Sequence, residues 1–121
     1  MPDGTPDDTK KAFDELLNSI LLNSALASIK AGGSQNARTA VSLTTRALNR
    51  QLSVTDKGKA LYRRALGHLA LNDEDQAEQD LVSAKEIVPQ DESVEKELTK
   101  VRTLKKEKRD KEKAKYKKMF A

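Results

Sequence analysis

GKALYRRALGHLALNDEDQAEQDLVSAKEIVP, residues 58–89, decides how this chain folds. Counting Gly58 as position one, Ala65 stands at eight, Ala77 at twenty, Ala84 at twenty-seven and Pro89 at thirty-two. Asn72-Asp73 splits the stretch into two apolar-periodic halves, and such a pair suits a turn. Small side chains at those positions let two antiparallel helices approach closely. Proline lacks an amide hydrogen, so it suits the start of a following helix.

The same pattern occurs upstream. Aligning Asn23-Ser24-Ala25 with Arg63-Arg64-Ala65 gives an offset of 40, and Ala40 and Ala47 precede Ala77 and Ala84 by 37. The longer turn at Gly32 to Gln35 accounts for the difference. Paired helices repeating at roughly 34 residues are the mark of tetratricopeptide repeats. The chain is therefore read as all-α: two helical hairpins followed by a long charged C-terminal helix. Residues 1–9 are expected to be disordered, 10–51 and 57–89 to form the two repeat units, and 91–121 the extension.

The first helix is expected to start near Asp8 or Thr9, either a good N-cap. Its residues Phe13, Leu16, Leu17, Ile20, Leu21 and Ala25 recur at three- and four-residue steps and are read as one apolar face. Gly32-Gly33 ends it. The second is expected from Asn36 to Gln51, with Ala40, Leu43, Ala47 and Leu48 inward. The third runs from Lys57 to Leu71 and the fourth from Glu74 to Val88. The last begins near Asp91 and reaches Phe120, with Val94, Leu98, Val101 and Leu104 as its inward stripe.

Composition narrows the function classes. Charged residues make up 35% of the 121 positions and aromatics 3%, which suits thin helix-on-helix layers rather than a wide core. There is no cysteine, so disulfides and thiolate-bound metals are excluded. The apolar stretch from Ile20 to Ile29 is too short to span a membrane, and the N-terminus lacks the basic start of a secretory signal. The reading is a soluble, cytoplasmic chain. Its net charge of +4 is unevenly placed: Lys105 to Lys118 holds nine Lys/Arg against three Asp/Glu, a local +6.

The run Lys59-Ala60-Leu61-Tyr62-Arg63-Arg64-Ala65 resembles the third repeat of the tetratricopeptide domains that bind heat-shock protein 90. With Ile20-Leu21-Leu22-Asn23-Ser24-Ala25 and the ending Tyr116-Lys117-Lys118-Met119-Phe120-Ala121, the chain is similar to the C-terminal region of the cyclophilin-40-type immunophilins, especially fungal ones. Nothing resembles the family's isomerase barrel, and the chain matches from just before the second repeat. The resemblance implies a co-chaperone-like module that holds the chaperone's acidic C-terminal tail, or that of its seventy-kilodalton relative, in a carboxylate clamp. Asn23 matches the clamp's second-repeat asparagine, and Lys59 and Arg63 its third-repeat pair. The first-repeat pair has no counterpart, so weak binding is expected. Tyr116, Met119 and Phe120 match a tyrosine-containing charged ending that modulates chaperone binding.

Residue chemistry fits that site. Lys59 and Arg63 are four apart and share a helix face. Arg offers a planar fork of donors, Lys a point charge, and Asn an amide donor. The plain alternative for the pair is a solvated basic helix face, and for Asn23 a surface amide. Arg64 projects about 100° from Arg63 and is read as structural. His68, the one histidine, is read as a packing residue and Tyr62 as core or groove wall. No cofactor, metal or enzymatic activity is expected. Two competing readings are a self-associating scaffold, through the Phe13, Leu16, Leu17 and Ile20 region, and a basic tail that binds nucleic acid non-specifically. Against the latter, acids interleave the tail, and a Glu107–Lys111 pair is expected to support it as a free-standing helix.

Overall fold

The computed structural model describes residues 6–121. Among these, five helices follow one another: α1 (Pro6–Ala31), α2 (Ser34–Leu48), α3 (Val54–Ala70), α4 (Glu74–Ile87) and α5 (Glu92–Met119). Helix α2 packs against α1 and α3, α4 against α3 and α5, and α1 also meets α3. The all-α hairpin architecture expected from the spacing is what forms.

The small residues do what their spacing implied. Ala25, Ala40, Ala47, Ala65, Ala77 and Ala84 are all 0% exposed. Around them lie two joined cores. One gathers Leu61, Leu81, Val94, Leu98 and Val101 where α3, α4 and α5 meet. The other gathers Leu21, Leu22, Ala47 and Ala60 between α1, α2 and α3. Leu48 packs against both.

The turns follow their residue chemistry. Gly32 and Gly33 have φ of 80° and 89°, a region L side chains rarely adopt. Asn72 takes the left-handed conformation with φ 60°, and asparagine tolerates it. Asp73 then caps α4, its side chain accepting from the Gln76 amide at 3.3 Å. Asp91 caps α5 in the same way through Ser93 at 2.9 Å.

Several boundaries differ from expectation. Residues 1–5 of the segment expected as disordered lie outside the described residues, while 6–9 form the first turn of α1. Proline needs no partner for an amide at a helix start, and Asp7 and Asp8 favour the positive end of the helix dipole. Helices α2 and α3 also begin earlier, at Ser34 and Val54. For α3 the cap is Ser53, whose hydroxyl accepts from the Asp56 amide at 3.2 Å.

Two apolar assignments change. The face read as one stripe on α1 divides: Leu21 and Ala25 are buried with Leu22, whereas Phe13, Leu16 and Ile20 are 64%, 61% and 51% exposed. At 100° per residue the exposed three lie roughly opposite Asn18 and Ala25 on the wheel. On α5, Val94, Leu98 and Val101 are buried but Leu104 is 39% exposed. The body ends there, because α4 begins at Glu74, already met by Lys108 one turn further along α5.

Candidate functional site: the α1–α3 groove

Helices α1 and α3 run side by side and their facing residues build the candidate site. Arg63 reaches across from α3 and its Nη1 donates to the Leu22 carbonyl at 2.8 Å. This brings the guanidinium to the residue that precedes Asn23. Asn23 is exposed on α1, and Lys59 is exposed one turn before Arg63 on α3. Partial burial pulls the Arg63 pKa down and the charge of Asp56 opposes that shift. At neutral pH the group stays charged. One bond to a carbonyl leaves most of its donor fork available.

Towards the N-terminus of α1 the groove opens into a space of about 640 Å³ lined by residues including Lys10, Lys11, Glu15, Ser19, Ser53 and Asp56. Its floor is held by a network that the sequence did not disclose. Arg50 donates from Nε to Asn18 Oδ1 at 2.7 Å and from Nη2 to Asp14 Oδ1 at 2.9 Å. Asn18 in turn donates to the Gln51 carbonyl at 3.3 Å. These bonds tie α1 to the α2–α3 connection. Their sequence signal is Asp14 and Asn18, one turn apart on the face of α1 that continues into Leu21, Leu22 and Ala25.

Arg64 turns away from the groove, as its position on the wheel requires. It clasps Asp80 with two bonds, Nε to Oδ2 at 2.8 Å and Nη2 to Oδ1 at 2.7 Å. It also reaches Thr45 Oγ1 at 3.3 Å. The bonds to Asp80 raise the Arg64 pKa against the opposing effect of burial. His68 Nε2 lies 3.7 Å from Asp80 Oδ2. Tyr62 is half-buried against the α3–α4–α5 core, and burial raises its pKa, with Glu97 and Asp91 adding to it. Among the described residues, no three His, Cys, Asp or Glu side chains gather as metal ligands. No helix there is long and apolar enough to cross a membrane.

The basic tail is partly neutralised where it leaves the body. Lys105 Nζ lies 2.8 Å from Glu78 and 2.9 Å from Asp75. Arg102 bonds Glu78 at 3.2 Å, and Lys108 pairs with Glu74. The expected Glu107–Lys111 pair is not formed. Among the described residues, the ion pairs of α5 beyond Val101 all run across to α4 instead, to Glu74, Asp75 and Glu78 in its first two turns. Tyr116, Met119 and Phe120 are 65%, 70% and 70% exposed. The rings of Tyr116 and Phe120, one turn apart, meet at a tilt of 43° with centroids at 4.6 Å.

No protein-family model matches the chain. Curated relatives do. A protein of Cryptococcus neoformans named peptidyl-prolyl cis-trans isomerase D is 41% identical over 99% of this chain and 32% of its own length. Proteins of the same name from Eremothecium gossypii and Mycosarcoma maydis are 35% and 33% identical, over 99% and 100% of this chain. The chain thus spans about a third of the length of the curated relatives it matches. Taken with the helical hairpins, these matches make the chain a relative of the tetratricopeptide-repeat region of the cyclophilin-40-type immunophilins.

Proposed function

We propose that the chain is a protein–protein interaction module that takes the acidic C-terminal tail of heat-shock protein 90 in the α1–α3 groove. On this reading it is a binding module and not a catalyst, and it works in the cytoplasm. The observation that carries the reading is the Arg63–Leu22 bond at 2.8 Å. It holds a cationic fork of donors at the main chain of Leu22, the residue before Asn23 in α1, with Lys59 one turn away on the same face of α3. A chain-terminal carboxylate next to an acidic side chain is the ligand such a group suits. Charge-assisted hydrogen bonds of this kind contribute roughly 1.5–3 kcal/mol each. Three such side chains support specific but weak capture. Tyr116, Met119 and Phe120 then form an exposed end that modulates docking from outside the groove. The similar tail of the seventy-kilodalton chaperone is a second candidate ligand.

Calorimetric titration with a peptide ending in Glu-Glu-Val-Asp, beside its C-terminally amidated twin, tests this. The free acid is expected to bind and the amide not, and Lys59→Glu or Arg63→Glu is expected to abolish binding. Equal binding of both peptides would overturn the clamp and point to general charge attraction by the basic tail. Unchanged binding in both variants would overturn the assignment of the site.

A further inference from the structure

Two polar ties fix α1 against α3 and the connection leading into it, and only one of them belongs to the proposed peptide site. The first is the Arg63–Leu22 bond. The second lies one turn earlier on α1. There Asn18 donates to the Gln51 carbonyl, two residues ahead of Ser53, the cap of α3. Asn18 is 6% exposed, and both ends of its carboxamide are used, because Arg50 Nε donates to its Oδ1. Arg50 also reaches Asp14, a further turn back along α1. Its own amide donates to the Ala47 carbonyl at 3.0 Å, which anchors it at the end of α2. One side chain thus links the end of α2 to two turns of α1 and, through Asn18, to the start of α3.

From this arrangement we infer that Arg50 is a positioning residue. It fixes the register of α1 along α3 and so keeps Leu22, and with it Asn23, at Arg63. The inference rests on the proposed reading of the α1–α3 groove as a carboxylate site. The apolar contact between these helices is made by Leu21, Leu22, Ala47 and Ala60. Such burial is non-directional. It holds the helices together but resists sliding less than hydrogen bonds do, since these need set distances and angles. A rigid helix tied at one point pivots about it, and a second tie one turn away stops the pivot. Asn23 lies five residues beyond Asn18, about 7.5 Å along the axis, so a slip at the lower tie is carried to it. Arginine suits the position because its planar fork meets two acceptors at once. Lysine brings the same charge on a single nitrogen, without the fork.

Two measurements on the full chain test this. One is calorimetric titration with the free-acid peptide ending in Glu-Glu-Val-Asp. The other is the distance between spin labels on Lys30→Cys in α1 and Lys57→Cys in α3, both exposed positions in a chain without cysteine. Arg50→Lys is expected to weaken the free acid about tenfold, the loss of roughly one charge-assisted bond, with unchanged helical circular dichroism. The label distance is expected to shift or broaden in the same variant. In an Asn23→Ala background Arg50→Lys is expected to cost no further affinity, because the group it positions is gone. A purely structural role would lower the thermal midpoint, leave the label distance unmoved and give losses that add to those of Asn23→Ala. Either of the last two results would overturn the inference. Affinity kept in Arg50→Lys but lost in Arg50→Met would also overturn it, by reducing the effect to charge. If the wild-type chain binds neither the free acid nor its amidated twin, the proposed function fails, and the label distance alone decides whether Arg50 sets the register.

Discussion

Arg64 and Arg63 are adjacent, carry the same side chain and have different roles. Arg63 donates to a main-chain carbonyl of α1, and Arg64 grips Asp80 on α4. Asp80 is 5% exposed, and the two bonds from Arg64 satisfy its buried carboxylate. Removing one member of a buried ion pair costs roughly 3–5 kcal/mol, because the other charge is left uncompensated. The Arg64 side chain is 24% exposed, so solvent moderates the loss. Arg64→Ala is expected to destabilise the fold by about 2–3 kcal/mol, read as a lowered midpoint in urea unfolding. Lys59→Ala should leave that midpoint unchanged, because Lys59 is exposed. The 100° step between neighbours was legible in the sequence and separated the two arginines. The identity of Asp80 as the partner was not, because it lies 16 residues away on another helix. The same holds for the Arg50–Asn18–Asp14 network under the groove.

At the scale of elements, the glycines show where helices touch and where the chain must turn. A Cβ at Gly67 would stand 2.9 Å from Val41 Cγ2 and 3.3 Å from the Ala37 carbonyl oxygen. Alanine would improve helix propensity by about 1 kcal/mol, but overpacking costs roughly 1–3 kcal/mol. Gly67→Ala is therefore expected to destabilise the α2–α3 contact by about 1 kcal/mol net, measured by thermal unfolding. Gly33, with φ 89° and ψ 156°, has open space around it. Gly33→Ala is expected to cost about 1–3 kcal/mol through backbone strain alone, by the same measurement. Turn chemistry placed Gly32-Gly33, Asn72-Asp73 and Pro89 at their breaks directly from sequence. Helix α3 starts three residues before the expected Lys57 because Ser53, in the expected connector, caps it.

At the scale of the whole molecule, α5 joins the body only along its first half. Its ion pairs with α4 end at Lys108, and about eleven further residues extend the helix by roughly 16 Å. Deleting residues 109–121 is expected to lower total helical ellipticity and leave the thermal midpoint of the body within about 2 °C. The docking should depend on pH. Lys105 and Arg102 hold the Glu78 carboxyl below its usual range, as Lys108 does for Glu74 and Lys105 for Asp75. A depressed carboxylate pKa contributes stability above the unfolded value. That contribution is lost as pH falls through the folded value. Amide exchange in α5 between Val101 and Lys108 is therefore expected to accelerate, relative to its intrinsic rate, as pH drops from about 5 to 3. The raised pKa of Lys105 acts in the opposite sense: its contribution holds below its ordinary value and is lost only at strongly alkaline pH.

By itself the sequence determined that the chain is helical, that its helices pair in repeats, and where they turn. These properties depend on local spacing: small residues at set intervals and turn residues with particular backbone freedom. It also placed Lys59 and Arg63 on one face, because four residues make about one turn. Only the tertiary structure decided which half of the apolar α1 is covered and which carboxylates the arginines meet. It also decided that two of the tail's cations, Lys105 and Lys108, are spent on α4. Those outcomes depend on which helices stand beside one another, and periodicity along a single helix is blind to its neighbours.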